Sequence, residues 1–267
     1  MKFCAGALSI ALVSCTYAPG PFSPLSYGSV GLPHRGVLTE ARRLPNEGVG
    51  FKRLRTDETA YGTPTMIEAL TDACAAVASR SGPCVIADLS ARNGGALLPK
   101  HASHRTGRDA DVLFFVTDLH GTSVPSPGFI RFERHGLAKD DAGNWYRFDT
   151  ERNWAFVKAL VSRPNTRVEW AFVHPVIRGW LLDWAEAHGE SADIRSRAEM
   201  VLGLAGGPKA AHDDHIHVRV SCTQDEVAAG CINTAALRDW IDTRPDRLPS
   251  IPSDQELAAE LVREGDF

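Results

Sequence analysis

The chain has 267 residues and is 43% hydrophobic, enough to bury one good-sized core. A net charge of −4, with no Lys/Arg run of five or more, argues against a protein that lives on nucleic acid. A ligand that is not a polyanion is the better expectation.

The N-terminus reads "MKFCAGALSIALVSCTYAPG", one Lys followed by a small-to-apolar run too short to span a bilayer, as in a secretory signal. Its end, Leu12-Val13-Ser14-Cys15, resembles a bacterial lipoprotein processing site. Cleavage before Cys15 would leave a lipid there, anchoring a domain with no spanning helix. Thr16 after that Cys, rather than Asp, fits the outer membrane. The expected location is therefore the periplasm, with membrane contact only through Cys15. Setting aside Cys4 and Cys15, the remaining Cys74, Cys84, Cys222 and Cys231 make an even count in an oxidising compartment. The local pairs Cys74–Cys84 and Cys222–Cys231 are favoured, each stabilising by about 2–3 kcal/mol in the chain-entropy model.

Residues 16–45 are rich in Pro, Gly and Ser and are expected to form a tether and irregular lead-in after a signal over 1–15. Thr63-Pro64 starts a helix with Ile67, Leu70, Cys74 and Val77 on one face. "CVIADLS" (84–90) and "ADVLFFV" (110–116) follow as strands. Asp149 or Thr150 starts a second helix, with Trp154, Val157, Leu160 and Val161 facing inward. "RVEWAFV" (167–173) is a strand, Pro175 opens a third helix, and "IHVRVSC" (216–222) is the last clear strand. The expectation is an α+β domain over 46–235, a small, mainly antiparallel sheet with flanking helices, then a polar tail over 236–267.

Five of the ten histidines lie in two short stretches, "HASHRTGRDADV" (101–112) and "HDDHIHV" (212–218). His215 and His217 stand two apart at a strand start, so alternation points both to one face. Two core-facing imidazoles would need partners for every ring nitrogen, and exposure on an edge strand is the cheaper bland explanation. The other stretch weakens it. Gly107 permits the positive φ of a tight return, which would bring His104 beside Asp111. Two nitrogens and a carboxylate oxygen, from His104, Asp111 and His217, suit Zn²⁺. Three protein ligands leave the open fourth position that hydrolytic zinc requires. Asp109 shares a face with Asp111 by alternation and is the alternative carboxylate.

The pattern H-x-x-G-x-x-x-D with a distant H-x-H resembles the zinc peptidases of the lysostaphin, D-Ala-D-Ala carboxypeptidase and hedgehog group. The longer strings "HASHRTGRDADV" and "HDDHIHVRV", with "FKRLRTDETAYGTP" and "AFVHPVIR", are similar to the penicillin-insensitive murein endopeptidase family. That resemblance implies one Zn²⁺ per chain on His104, Asp111 and His217, the sheet bearing the site, and His215 as catalytic base. It further implies His101 and His212 as accessory histidines for the oxyanion or substrate, and Asp111 over Asp109 as ligand. The implied activity is hydrolysis of D-Ala–meso-diaminopimelate cross-links in peptidoglycan. Trimming of stem peptides by a D,D-carboxypeptidase or dipeptidase is an alternative, because segments around 117–150 shape the cleft. A non-catalytic peptidoglycan-binding module is a second, which a spare base at His215 disfavours.

Of the remaining residues, Asp214 is a candidate to accept a histidine N–H, and Arg219 to bind a peptide carboxylate or a surface partner. His34, His120, His135, His174 and His188 read as surface or structural, and Trp154, Trp170, Trp180 and Trp184 as core.

Overall fold

A computed structural model describes residues 28–78, 82–96, 101–133, 135–163, 166–204 and 211–241. The signal and lipid expectation at 1–15, the first part of the tether and nearly all of the expected tail lie outside these residues.

Strands β1 (Ser29–Leu32), β2 (Arg35–Leu38), β3 (Arg42–Arg43), β4 (Glu47–Gly48), β5 (Phe51–Arg53) and β6 (Tyr61–Gly62) precede helix α1 (Pro64–Ala78). Then come β7 (Cys84–Ile86), β8 (Asp109–Leu113), β9 (Val116–Thr117), β10 (Ser123–Val124), β11 (Leu137–Lys139) and β12 (Trp145–Phe148). Helix α2 (Thr150–Ser162), β13 (Val168–Phe172), α3 (Pro175–Ala187), α4 (Ala192–Val201), β14 (His215–Val220) and α5 (Gln224–Ala228) complete the order. The main sheet runs β13-β14-β8-β7-β5-β4, antiparallel except between β5 and β7. A smaller antiparallel sheet runs β10-β9-β12-β11. No helix among the described residues is long and apolar enough to cross a membrane.

The helices start where capping chemistry puts them. The Thr63 hydroxyl accepts from Met66 N–H, the Asp149 carboxylate from Arg152 N–H, and Pro175 fills the first turn of α3. Ile67, Leu70, Cys74 and Val77 of α1 are buried, as are Trp154, Val157, Leu160 and Val161 of α2. These residues share one core with Ala110 and Val112 of β8 and with Ile216, Val218 and Val220 of β14. The alternate residues of those two strands therefore face the opposite side of the sheet, Asp109, Asp111, His215, His217 and Arg219 among them.

Two expected strands are interrupted, each for a visible reason. The run 84–90 leaves the regular ladder after Ile86, and Asp88 turns a buried carboxylate toward its neighbours instead. The run 110–116 passes from one sheet to the other at Phe114–Phe115, where the Asn153 amide holds both the N–H and the carbonyl of Phe115. Within the expected irregular lead-in, residues 29–38 form the β1–β2 hairpin, pinned by Gly31 N–H to Gly230 O. Both local disulfides are present, with Cα separations of 5.6 Å (Cys74–Cys84) and 6.1 Å (Cys222–Cys231).

Candidate metal centre

The register of β14 on β8 builds the site. His217 stands directly opposite Asp111, and Arg219 directly opposite Asp109, on the face turned away from the helices. A slip of β14 by one residue would turn His217 and Arg219 toward the hydrophobic core. His104 joins from the loop before β8. Gly107 has φ 74°, and a Cβ there would lie 2.7 Å from the Leu38 side chain, so the tight return requires glycine. His104 (φ 63°) and His212 (φ 45°) are the two non-glycine residues with left-handed backbone among those described, and both belong to the cluster. Backbone strain of this kind collects where the surrounding structure over-determines a side chain.

Asp111 is the hub. Its Oδ1 lies 3.0 Å from His217 Nδ1, 3.3 Å from His104 Nε2 and 3.3 Å from His215 Nε2. His101 Nδ1 is 3.8 Å from Oδ2. None of the three approaches to Oδ1 is a hydrogen bond, so this buried oxygen has no donor, and His104 Nδ1 is likewise buried without a partner. An orphaned oxygen ringed by imidazole nitrogens costs free energy unless a cation sits among them. The nitrogen and oxygen donors of His101, His104 and Asp111 lie within 4.8 Å of one another, as do those of His212, His215 and His217. This donor set fits a divalent metal with nitrogen and oxygen preference.

The residues around the hub fall into two groups. Asp109 Oδ1 accepts from Arg219 Nε at 2.6 Å and lies 2.9 Å from His217 Nε2, while Oδ2 accepts from the His104 backbone N–H. The alternative carboxylate thus turns away from the hub and fixes the backs of two neighbouring histidines. Arg219, a candidate to grip substrate, is spent on Asp109 and on the Thr234 hydroxyl. Asp214 Oδ1 meets His215 Nδ1 at 2.5 Å, the partnership the sequence suggested. His104, Asp111 and His217 are almost fully buried, whereas His101, His212 and His215 are half-buried at the rim. The isolated His174 caps α3, and His188 stacks on Trp184, so these two are structural.

The charges match this division. Burial pushes the Asp109 carboxyl up, but the Arg219 guanidinium and His217 outweigh it and hold it well below the ordinary range. Burial likewise works against ionised Asp111, yet His104 and His215 hold it well below its usual value. Desolvation lowers His215, but the Asp111 charge and the Asp214 contact overcome it and raise the imidazole to about 10. His104 is raised in the same way, against its own desolvation, by Asp111 and Asp109. The buried carboxylates thus favour protons on these imidazoles, and a divalent cation would compensate the same charge.

Asp88 and Phe129 contribute to the site but were not legible as site residues. Asp88 is buried and meets His101 Nε2 at 3.2 Å through Oδ2, while Oδ1 accepts from Arg55 and from the Thr59 hydroxyl. Phe129 packs edge-on against His215 with ring centroids 5.3 Å apart. An Asp inside the apolar run "CVIADLS" was the available signal for Asp88, since a buried carboxylate in a strand needs partners.

The α+β fold and a buried carboxylate ringed by imidazoles define a class, that of domains whose sheet face carries a His/Asp group that could hold a metal ion. The chain belongs to the penicillin-insensitive murein endopeptidase family, whose profile matches residues 29–239. It is similar to a penicillin-insensitive murein endopeptidase of Haemophilus influenzae (strain Rd), 26% identical over 223 residues, 77% of this chain and 67% of that protein. Proteins of the same name from Salmonella heidelberg (strain SL476) and Escherichia coli O17:K52:H18 are each 26% identical. Those alignments cover 91% and 90% of this chain, and 89% of each relative.

Proposed function

We propose that this protein is a zinc-dependent endopeptidase that hydrolyses the D-Ala–meso-diaminopimelate peptide cross-links of peptidoglycan. The observation behind the reading is the buried Asp111 Oδ1, without a hydrogen-bond donor and with three imidazole nitrogens within 3.3 Å. Membership of the family and the names of its relatives support murein as the substrate, and the resemblance implies the particular bond. In this reading His104, Asp111 and His217 hold the ion. When bound, Zn²⁺ polarises the scissile carbonyl and acidifies water beside it.

The chain's own residues do the rest. Asp109 fixes His217 through Nε2 and His104 through its backbone N–H, so neither can swing away. Asp214 holds Nδ1 of His215, leaving Nε2 to take a proton from the attacking water and pass it to the leaving amine. His101, held at Nε2 by Asp88, turns Nδ1 inward and would position substrate beside the hub. His212, beside Phe172 and His215, lines the opposite lip and would steady the substrate. Secretion to the periplasm by residues 1–15, with a lipid on Cys15, and a peptidase domain of 46–235 preceded by its hairpin, complete the proposal.

Purified cross-linked muropeptide dimers test it. Conversion of dimers to monomers, abolished by a chelator and restored by Zn²⁺, is the expected result. Release of free D-Ala alone would point to stem trimming, and intact dimers with metal bound would point to a binding module.

A further inference from the structure

The two rim histidines nearest the hub are joined by one side chain that the proposed reaction does not use. Arg55 reaches across the mouth of the site. Its Nη1 donates to Asp88 Oδ1, the carboxylate whose other oxygen meets His101 Nε2. Its guanidinium also lies over the Phe129 ring, 5.6 Å from the centroid, and that ring packs edge-on against His215. Arg55 is thus one residue removed from His101 on one side and from His215 on the other. Its side chain is 44% exposed, and Asp88 and Phe129 are its partners among the described residues. An arginine has five N–H donors in a rigid fork, and Asp88 engages this fork through Nη1.

The other cations near the hub are placed differently. Arg219 is consumed by Asp109, and Arg108 is wholly buried against Ser29, Val220 O, Ile232 O and Glu169. Arg131 is 77% exposed with one loose contact to Asp213 at 3.8 Å, so nothing holds it in a fixed pose. Arg55 alone among these four is both oriented by a buried carboxylate and open to a ligand.

The substrate chemistry supplies a matching anion. In a D-Ala–meso-diaminopimelate cross-link, the carbon bearing the scissile amide nitrogen also bears a free carboxylate. That group enters a site already crowded with the carboxylates Asp88, Asp109, Asp111 and Asp214 and needs a cation beside the leaving-group side. We propose that Arg55 binds this carboxylate, making it the residue that selects amides formed on an amino-acid α-carbon with a free acid. The inference rests on the endopeptidase reading above. Asp88 then has two tasks, aiming Arg55 outward and His101 inward, and the Phe129 face keeps the guanidinium plane from folding away.

The test uses synthetic cross-linked dimers in two forms, with that carboxyl as the free acid or as its carboxamide. kcat/KM is measured for each on zinc-loaded full-length wild type, Arg55→Gln, Arg55→Lys and Arg131→Gln. The readout is the acid-to-amide ratio within each enzyme, which a general loss of activity or of metal does not move. Wild type is expected to prefer the acid by about 10- to 100-fold, the size of a charge-assisted hydrogen bond. Arg55→Gln should bring the ratio near one, Arg55→Lys should fall between, and Arg131→Gln should keep the wild-type ratio. A wild-type ratio near one, or a ratio that survives Arg55→Gln, overturns the assignment. Failure of wild type to cleave either form would sink the endopeptidase reading itself, a distinguishable outcome.

Discussion

The hub and the rim of the histidine cluster are built on different principles. His104, Asp111 and His217 are almost fully buried and are held from behind by Asp109, itself braced by Arg219. His101, His212 and His215 are half-buried, and two of them lean on carboxylates of their own, Asp88 and Asp214. Six groups of similar chemistry are thereby sorted by burial. The inner three are fixed and dry, which suits holding an ion, and the outer three keep access to water, which suits trading protons.

The largest expected effect comes from removing the hub. Asp111→Ala deletes the oxygen on which three nitrogens converge. Metal content should fall to background, and dimer cleavage by at least about a thousand-fold. Retention of stoichiometric metal in this variant would place the ion elsewhere. A smaller break lies one layer back. Asp109→Asn keeps the shape but weakens the grip on His217, so zinc affinity measured by competition with a chelator should drop about 10- to 100-fold. Unchanged affinity would mean that Asp109 matters only to folding.

The metal-free protein offers a pH test of the same division. His215 has its folded pKa raised to about 10 by Asp111 and Asp214 against desolvation, above the unfolded value near 6.5. The stabilisation it provides is complete below that unfolded value and is lost as pH rises through about 10. His104 is shifted in the same direction. Melting temperature of the chelated protein should therefore fall between pH 7 and roughly pH 10. The fall should be shallower in His215→Gln, and a rise over that window would contradict the charge balance drawn here. The smallest effect belongs to the outermost brace. Thr234→Val removes a hydroxyl that meets Arg219 at 3.3 Å and should change zinc affinity by no more than a few-fold.

What could be read from the sequence follows from locality. Helices α1, α2 and α3 announce themselves through Thr63-Pro64, Asp149 and Pro175, because caps act within one turn. His104 with Asp111, and His215 with His217, are legible because their spacing and a glycine act within a few residues. Asp88 on His101 and Asp109 on His217 are not, since a buried carboxylate's partner is chosen by tertiary packing. The small sheet of β9 to β12 escaped for a related reason. Its strands are two to four residues long, too short for a period-two pattern to rise above the turns between them. Helix α4, with a Ser191 cap and only Ala198 and Val201 buried, is too polar to stand out.

In the proposed mechanism ion holding and proton carrying are separate jobs within one cluster, and His215 is where they part. Zinc per chain and single-turnover cleavage of cross-linked dimers, measured together on His215→Gln and His217→Gln, address it most directly. His215→Gln should keep one zinc per chain yet cleave about 10²- to 10⁴-fold more slowly, while His217→Gln should lose both. Loss of zinc from His215→Gln, or undiminished cleavage by it, would show that the two jobs are not divided at His215.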